Sequence, residues 1–561
     1  MKKEAILHVS ESPMAEPLSP SSFFLRLRLA REDEKAKVVL HYGEKYCFQD
    51  KRDRVEIPLA RKSQEFSYFE TTICLQSRRL AYIFEISAGD EHYYLSERGL
   101  TADYNFAKAY EDFFQFSYVH EEDVFHLPDW SSKAVFYQIF PDRFAMGKKE
   151  KDTGYINLKW GDKPTNKSFA GGDIKGIADR LDYLADLGIN ALYLTPIFRS
   201  NSYHKYDTID YMEIDPELGT EEDLRALIAK AHAKGIRIVL DAVFNHISSD
   251  SPFFQDVIEK GRSSPYYHWF FIRGERPDTA KGNYEYFSVC PYMPKLNPEN
   301  SECAVYLIEV ARHYLRLGID GWRLDVADEV PHSFWRNFRA AIKAEFPSSI
   351  IIGEHWHNAH SFLSGNEFDG VMNYPLTYAI ADYLIKGELT AEEAAGRLEE
   401  LYVRYRPSML PAMLNLLDSH DTHRFLTLAN GRIETLDAAL AILFFYPGMP
   451  CLYYGTEIPM EGAYDPDCRR CFPWERANDE NAHKKLLNSL ILLRNSDVLA
   501  HGSFRAEEEN GLLKITRFYN GKSLVLYVNG SRKALPISSE SLIASRYEGG
   551  YLEPFGFLIR R

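Results

Sequence analysis

The sequence predicts an α/β fold. A (β/α)8 barrel with an inserted segment after its third strand follows an N-terminal β-sandwich and precedes a C-terminal antiparallel β domain. Three observations predict it. Apolar, strand-length runs alternate with helix-period stretches over the middle of the chain, the rhythm of a parallel sheet. Both ends instead alternate with period two and carry glycine-centred turn signals. Carboxylates recur just past the barrel strands, where such barrels carry their active sites. The expected spans are 1–122, 123–500 with an insertion at 247–297, and 501–561.

In the first span, Leu25 to Leu29 and Tyr82 to Ile86 alternate faces, and Gly89-Asp90 reads as a hairpin turn before Tyr93-Tyr94-Leu95. The barrel opens at Val135 to Phe140. Ile177, Leu181 and Leu184 then share a helical face, and Ile189 to Leu194 forms the second strand. Thr220 and Asp223 form a capping box for a helix that Gly235 ends. Ile236 to Leu240 is the third strand. The segment 247–297 is too long for a plain loop and reads as a functional insertion. Gly318 to Trp322, Ile350 to Gly353, Gly370 to Asn373, Met413 to Leu417 and Met449 to Tyr454 complete eight strands. In the last span, Asn510-Gly511, Asn520-Gly521 and Asn529-Gly530 signal three successive hairpin turns.

Composition excludes several classes. At 45% hydrophobic and 26% charged residues the chain is globular, and a net charge of −15 disfavours nucleic acid as a partner. No stretch approaches a membrane span, and no signal-like N-terminus is present. Seven scattered cysteines point to reduced thiols in a cytoplasm, and Cys468-x-x-Cys471 lacks the further ligands of a zinc site.

Reading the strand ends gives one set of residues. The second strand is followed by His204-Lys205-Tyr206-Asp207, and the third ends in Asp241 to His246. The fourth ends in Arg323 and Asp325, the fifth in Glu354-His355-Trp356, and the seventh in Asp418-Ser419-His420-Asp421. Arg323 and Asp325 lie two apart and so face one space. The guanidinium is expected to keep Asp325 ionised well below neutral pH. Several carboxylates, histidines and aromatics, without metal-ligand spacing or a phosphate-binding loop, fit acid-catalysed cleavage of an uncharged polyol such as a sugar.

These stretches resemble the four ordered motifs of the α-amylase superfamily, glycoside hydrolase family 13. Met293-Pro294-Lys295-Leu296-Asn297 is similar to the fifth motif of its neopullulanase, cyclomaltodextrinase and maltogenic amylase subfamily. The resemblance implies a retaining double displacement on α-1,4-glucosidic bonds of cyclodextrins and maltooligosaccharides, with pullulan a further candidate. In it Asp325 is the nucleophile, Glu354 the acid and base, and Asp421 the ring-distorting carboxylate. It implies sugar contacts from His204, Tyr206, Asp241, His246, Arg323, Trp356, His420, Asp465 and Arg469, and a homodimer. A retaining pair stands about 5–5.5 Å apart. A transglycosylase of the same family is the nearest alternative; a non-catalytic glycan-binding or interaction protein is another. Relatives often hold a structural calcium after the first strand. Here that stretch, Met146 to Asp152, contains three lysines, and neither calcium nor any cofactor is expected. His355 and Asp328 depart from the subfamily's usual residues.

Overall fold

The computed structural model describes residues 1–110, 112–147, 151–478, 481–538 and 540–561. The chain divides into two compact units. One comprises Met1–His126, Leu389–Leu410 and Arg505–Ile515; the other comprises Leu127–Glu388, Pro411–Phe504 and Thr516–Arg561.

The first unit contains two antiparallel sheets, one centred on Ser22–Ala30 and Phe66–Cys74, the other on Lys37–Gly43 and Leu80–Ala88. Alternate residues turn inward. Phe23, Leu25, Leu27 and Leu29 from one sheet meet Val38, Leu40, Tyr82, Phe84 and Ile86 from the other. The Gly89 turn is a hairpin as expected, with φ of 59° and Ala88 paired to Glu91. The helix Ala391–Val403 belongs to this unit. Its Glu399 is tied to Arg61 at 3.0 Å, and Arg61 also pairs with Glu70 at 3.0 Å.

The second unit holds the barrel. Its strands are β1 (Phe136–Ile139), β2 (Ala191–Leu194), β3 (Arg237–Ala242), β4 (Gly321–Leu324), β5 (Ile350–Gly353), β6 (Gly370–Val371), β7 (Leu414–Leu416) and β8 (Met449–Tyr453). All neighbours are parallel. β1 pairs with β8, and a parallel bridge between Met372 and Leu414 closes the ring. These strands are buried on both faces, which explains their near-continuous apolar runs. The capping box forms: Thr220 Oγ1 accepts from the Asp223 N–H at 3.2 Å, and Asp223 accepts from the Thr220 N–H at 2.9 Å.

Some elements differ from expectation. The helix after β1 breaks at Asp179–Arg180 into Ile174–Ala178 and Leu181–Leu187. β4 begins only at Gly321, because Gly318 is the left-handed cap of the helix Ser301–Leu317. Between β5 and β6 the helical layer is reduced to a 3-10 turn, His360–Phe362. Asn510-Gly511 and Asn520-Gly521 take positive φ at both positions, as tight hairpins require. Asn529-Gly530 is not such a turn. Asn529 is buried and donates from Nδ2 to the carbonyls of Lys533 and Leu552, anchoring a loop instead.

Gly321 runs so close to β5 that an added Cβ would lie 2.3 Å from the Ile350 carbonyl oxygen. Gly321→Ala should therefore cost about 1–3 kcal/mol, as overpacking does. It should appear as a lower denaturation midpoint. Unchanged stability would contradict this strand register.

Candidate active site

The C-terminal ends of the strands deliver the charged groups. Asp241, fully buried in β3, accepts from Tyr193 Oη at 2.6 Å, Tyr206 Oη at 2.8 Å and Arg323 Nη1 at 2.8 Å. The same Arg323 Nη1, from β4, donates to Asp325 Oδ1 at 2.7 Å. Arg323 Nη2 lies 2.9 Å from Glu354 Oε1, an ion pair without hydrogen-bond alignment. One guanidinium thus serves three carboxylates.

Glu354, immediately after β5, accepts from the Val326 N–H at 2.9 Å and from Trp356 Nε1–H at 3.1 Å. Val326 holds φ of 46°, a left-handed conformation that is strained for a β-branched residue. The strain sits where this N–H meets the Glu354 carboxylate.

Asp421, past β7, lies 3.3 Å from Arg469 Nη2 and 3.1 Å from His420 Nε2. Asp465 pairs with Arg469 Nη1 at 2.9 Å. Gln138 Nε2 approaches His420 Nδ1 at 2.6 Å, and His420 Nε2 faces Tyr206 Oη at 2.5 Å. The amide nitrogen only donates, so Nδ1 accepts and Nε2 carries the proton. Tyr206 then receives from His420 and donates to Asp241. The two rings stack, 5.3 Å apart and 3° from parallel.

Burial sets the protonation states. It pushes His204 and His246 down to about 3 and His420 well below its usual range, with Arg469 adding to the effect on His204 and His420. All three are neutral imidazoles at physiological pH. Burial likewise raises Asp325, and the charges of Glu354 and Asp241 push the same way against Arg323. Glu354 is raised by burial first, with Asp421 contributing. The expectation that Arg323 alone holds Asp325 low is therefore corrected: burial first, and then the neighbouring carboxylates that share the guanidinium, raise it. Asp325 and Glu354 titrate as a pair holding a proton above the ordinary carboxylate range. Asp325 takes the charge-assisted hydrogen bond of Arg323, whereas Glu354 accepts two neutral N–H bonds; the stronger bond favours the ionised form of Asp325 and assigns the shared proton to Glu354.

Nine of the twelve residues expected from the sequence line one cavity of about 370 Å³: His204, Tyr206, His246, Asp325, Glu354, Trp356, Asp421, Asp465 and Arg469. Asp241, Arg323 and His420 sit directly behind them, joined by the bonds above. Asp328 also lines the cavity. His355 is buried beside it, with its imidazole pushed down by burial. Sequence reading missed several neighbours. Tyr193 lies inside a strand already assigned to the core. Tyr374 stacks on Trp356 at 3.9 Å and 5°, and Phe287 of the insertion stacks on His246 at 4.6 Å and 16°. The unbroken apolar run of β2 hid Tyr193, and nothing periodic marked Phe287.

Among the described residues, no three His, Cys, Asp or Glu side chains are grouped to hold a metal ion, and no helix is long and apolar enough to cross a membrane. Lys148, Lys149 and Glu150 of the stretch read against calcium lie outside the described residues.

A closed (β/α)8 barrel with carboxylates gathered at one rim defines a barrel enzyme. Residues 138–498 match the model of the alpha amylase catalytic domain, and residues 1–120 that of the alpha amylase N-terminal ig-like domain. The chain is 43% identical over 545 residues to a cyclomaltodextrinase of Thermoanaerobacter pseudethanolicus, covering 95% of this chain and 93% of that one. It is 41% identical to neopullulanase 2 of Thermoactinomyces vulgaris, covering 88% and 84%. A solved cyclomaltodextrinase superposes with a TM-score of 0.91 at 34% identity, covering 100% of this chain and 98% of that one. The chain belongs to the α-amylase family, within its neopullulanase, cyclomaltodextrinase and maltogenic amylase group. It is a glycoside hydrolase of α-glucans.

Trp356 Nε1–H stabilises the ionised form of Glu354. Trp356→Phe removes that donor and should raise the pKa of Glu354. The Glu354 titration, followed by its carboxyl stretch in infrared difference spectra, should move up by about half a unit to one unit, the worth of one hydrogen bond. A titration that stays or moves down contradicts this role of the indole.

Proposed function

We propose that this enzyme hydrolyses α-1,4-glucosidic bonds by double displacement, with retention at the anomeric carbon. Glu354 gives its proton to the glycosidic oxygen as the bond to C1 breaks, and an Asp325 oxygen bonds to C1. Water then adds to C1, returning a proton to Glu354 and releasing Asp325 as a carboxylate. Asp421, Arg469 and His246 grip hydroxyls of the ring being cleaved, His420 behind them donates to Tyr206, Asp465 holds Arg469, and His204 stacks against the sugar beside Tyr206. Tyr206 supplies an apolar face. Trp356, backed by Tyr374, carries the leaving sugar. The observation that carries this reading is the single guanidinium bridging Asp325 and Glu354, which holds a nucleophile and an acid within one ring's reach.

Cyclodextrins and maltooligosaccharides are the proposed substrates, with pullulan a third, in line with the names of the relatives. Seven unpaired cysteines support a reducing, cytoplasmic setting. We place the domain boundaries near residues 122 and 500, and expect a homodimer. The stacked Trp356–Tyr374 pair favours a second reading, in which a sugar rather than water captures the intermediate. Predominantly elongated products from concentrated maltotriose would establish it.

The anomer first released decides the stereochemistry. Proton NMR during β-cyclodextrin or maltotriose cleavage should show the α-anomer first; the β-anomer first would refute retention. Asp325→Asn should lower kcat by at least about 10⁴-fold, as loss of a nucleophile does, while maltotriose still binds.

A further inference from the structure

The loop after β1 contains a buried cation that the chemistry above does not use. Lys151 Nζ lies 3.1 Å from Asp173 Oδ2 and 3.3 Å from the Glu217 carbonyl oxygen, and it donates to the Gly171 carbonyl. Its side chain is 7% exposed. An ammonium has three N–H groups, and here each has an oxygen. Asp173 is otherwise committed: Oδ1 accepts the N–H groups of Gly147 at 3.0 Å and Gly176 at 2.7 Å. This is where the family resemblance implies a structural calcium. A calcium ion needs six to eight oxygens at about 2.3–2.6 Å. It cannot share the position with a tethered ammonium, so the residues present do not fit the metal.

Glu217 continues the chain of charges. Its carboxylate accepts from Lys205 Nζ at 2.6 Å, and Lys205, 1% exposed, also pairs with Asp215 at 2.9 Å. Lys205 sits between His204 and Tyr206 with φ of 64°, a left-handed conformation. That geometry persists only where the surroundings hold it. Asp215 also accepts the Ser200 N–H at 2.9 Å. Ser200 Oγ reaches Asp207 at 2.6 Å, and Ser202 Oγ links Asp207 to His204 Nδ1 at 3.1 Å. A continuous polar strut therefore joins the Lys151 cage to the two rings at the cavity wall.

We propose that the Lys151 ammonium does the structural work of a divalent cation in this chain. Through Glu217 and Lys205 it fixes the His204–Tyr206 loop. Lys151, Glu217 and Lys205 are positioning residues; the effect on substrate rests on the proposed function, whereas the effect on stability does not.

The test uses the full chain and reads melting temperature together with maltotriose kinetics. Wild-type Tm should be equal in calcium and in EDTA. Lys151→Met, which keeps the stem and removes the charge, should lower Tm by about 2 °C or more. It should also raise KM at least about three-fold with kcat within about two-fold, the pattern of lost positioning in binding. Lys151→Asp supplies a further oxygen and should make Tm rise with calcium. Glu217→Gln keeps the carbonyl of the cage but loosens Lys205, and should raise KM alike. A wild-type Tm that falls in EDTA, or a Lys151→Met enzyme with wild-type Tm and KM, overturns the proposal. A wild type that cleaves no α-glucan would instead count against the proposed function, and the Tm comparison would still decide the role of Lys151.

Discussion

Everything in the site depends on how one buried guanidinium is divided. Arg323 cannot lose its proton, and it is met by Asp241, Asp325 and Glu354 within 2.7–2.9 Å. Three carboxylates on one cation, out of water, cannot all be ionised without heavy cost. The cluster therefore retains a proton at pH values where exposed carboxylates have lost theirs. Nucleophilic displacement assisted by a general acid needs that condition: one carboxylate charged and one protonated, side by side. The direction of the Arg323 hydrogen bond, onto Asp325 and not Glu354, breaks the symmetry between them.

The barrel makes this arrangement affordable in structural terms. Parallel strands buried on both faces fix the backbone at β3, β4 and β5, so side chains at their ends have little freedom to separate. Asp241 pairs in register with Arg323, and Arg323 with Ile352. The strained Val326 turn and the Gly321 contact are local consequences of holding these ends close. Neutral histidines then surround the cluster without adding positive charge that would draw the proton away.

Much of this was legible in the sequence. The eight strands could be read because strand-length apolar runs alternate with helix-period stretches. The carboxylates could be read because each lies at or shortly past the end of such a run. Arg323 and Asp325 could be paired by spacing alone. What the sequence did not reveal depends on long-range approach. Phe287 reaches His246 from an aperiodic insertion, and Tyr374 meets Trp356 across two strands. Asn529 looked like a turn residue because local chemistry cannot distinguish an exposed αL position from a buried amide satisfying two carbonyls. The upward shift of the Asp325–Glu354 pair was hidden for the same reason: the guanidinium was visible two residues from Asp325, but its other partners lay 82 and 31 positions off along the chain.

In the proposed double displacement Asp325 is the carboxylate left charged to attack, and Glu354 carries the proton. Trapping the intermediate with a fluorinated maltosyl donor, in a Glu354→Gln background that slows its release, tests this directly. Peptide mass spectrometry should find the sugar esterified to Asp325. An ester on Asp241 or on Asp421, or no ester from an enzyme that still consumes the donor, would contradict it.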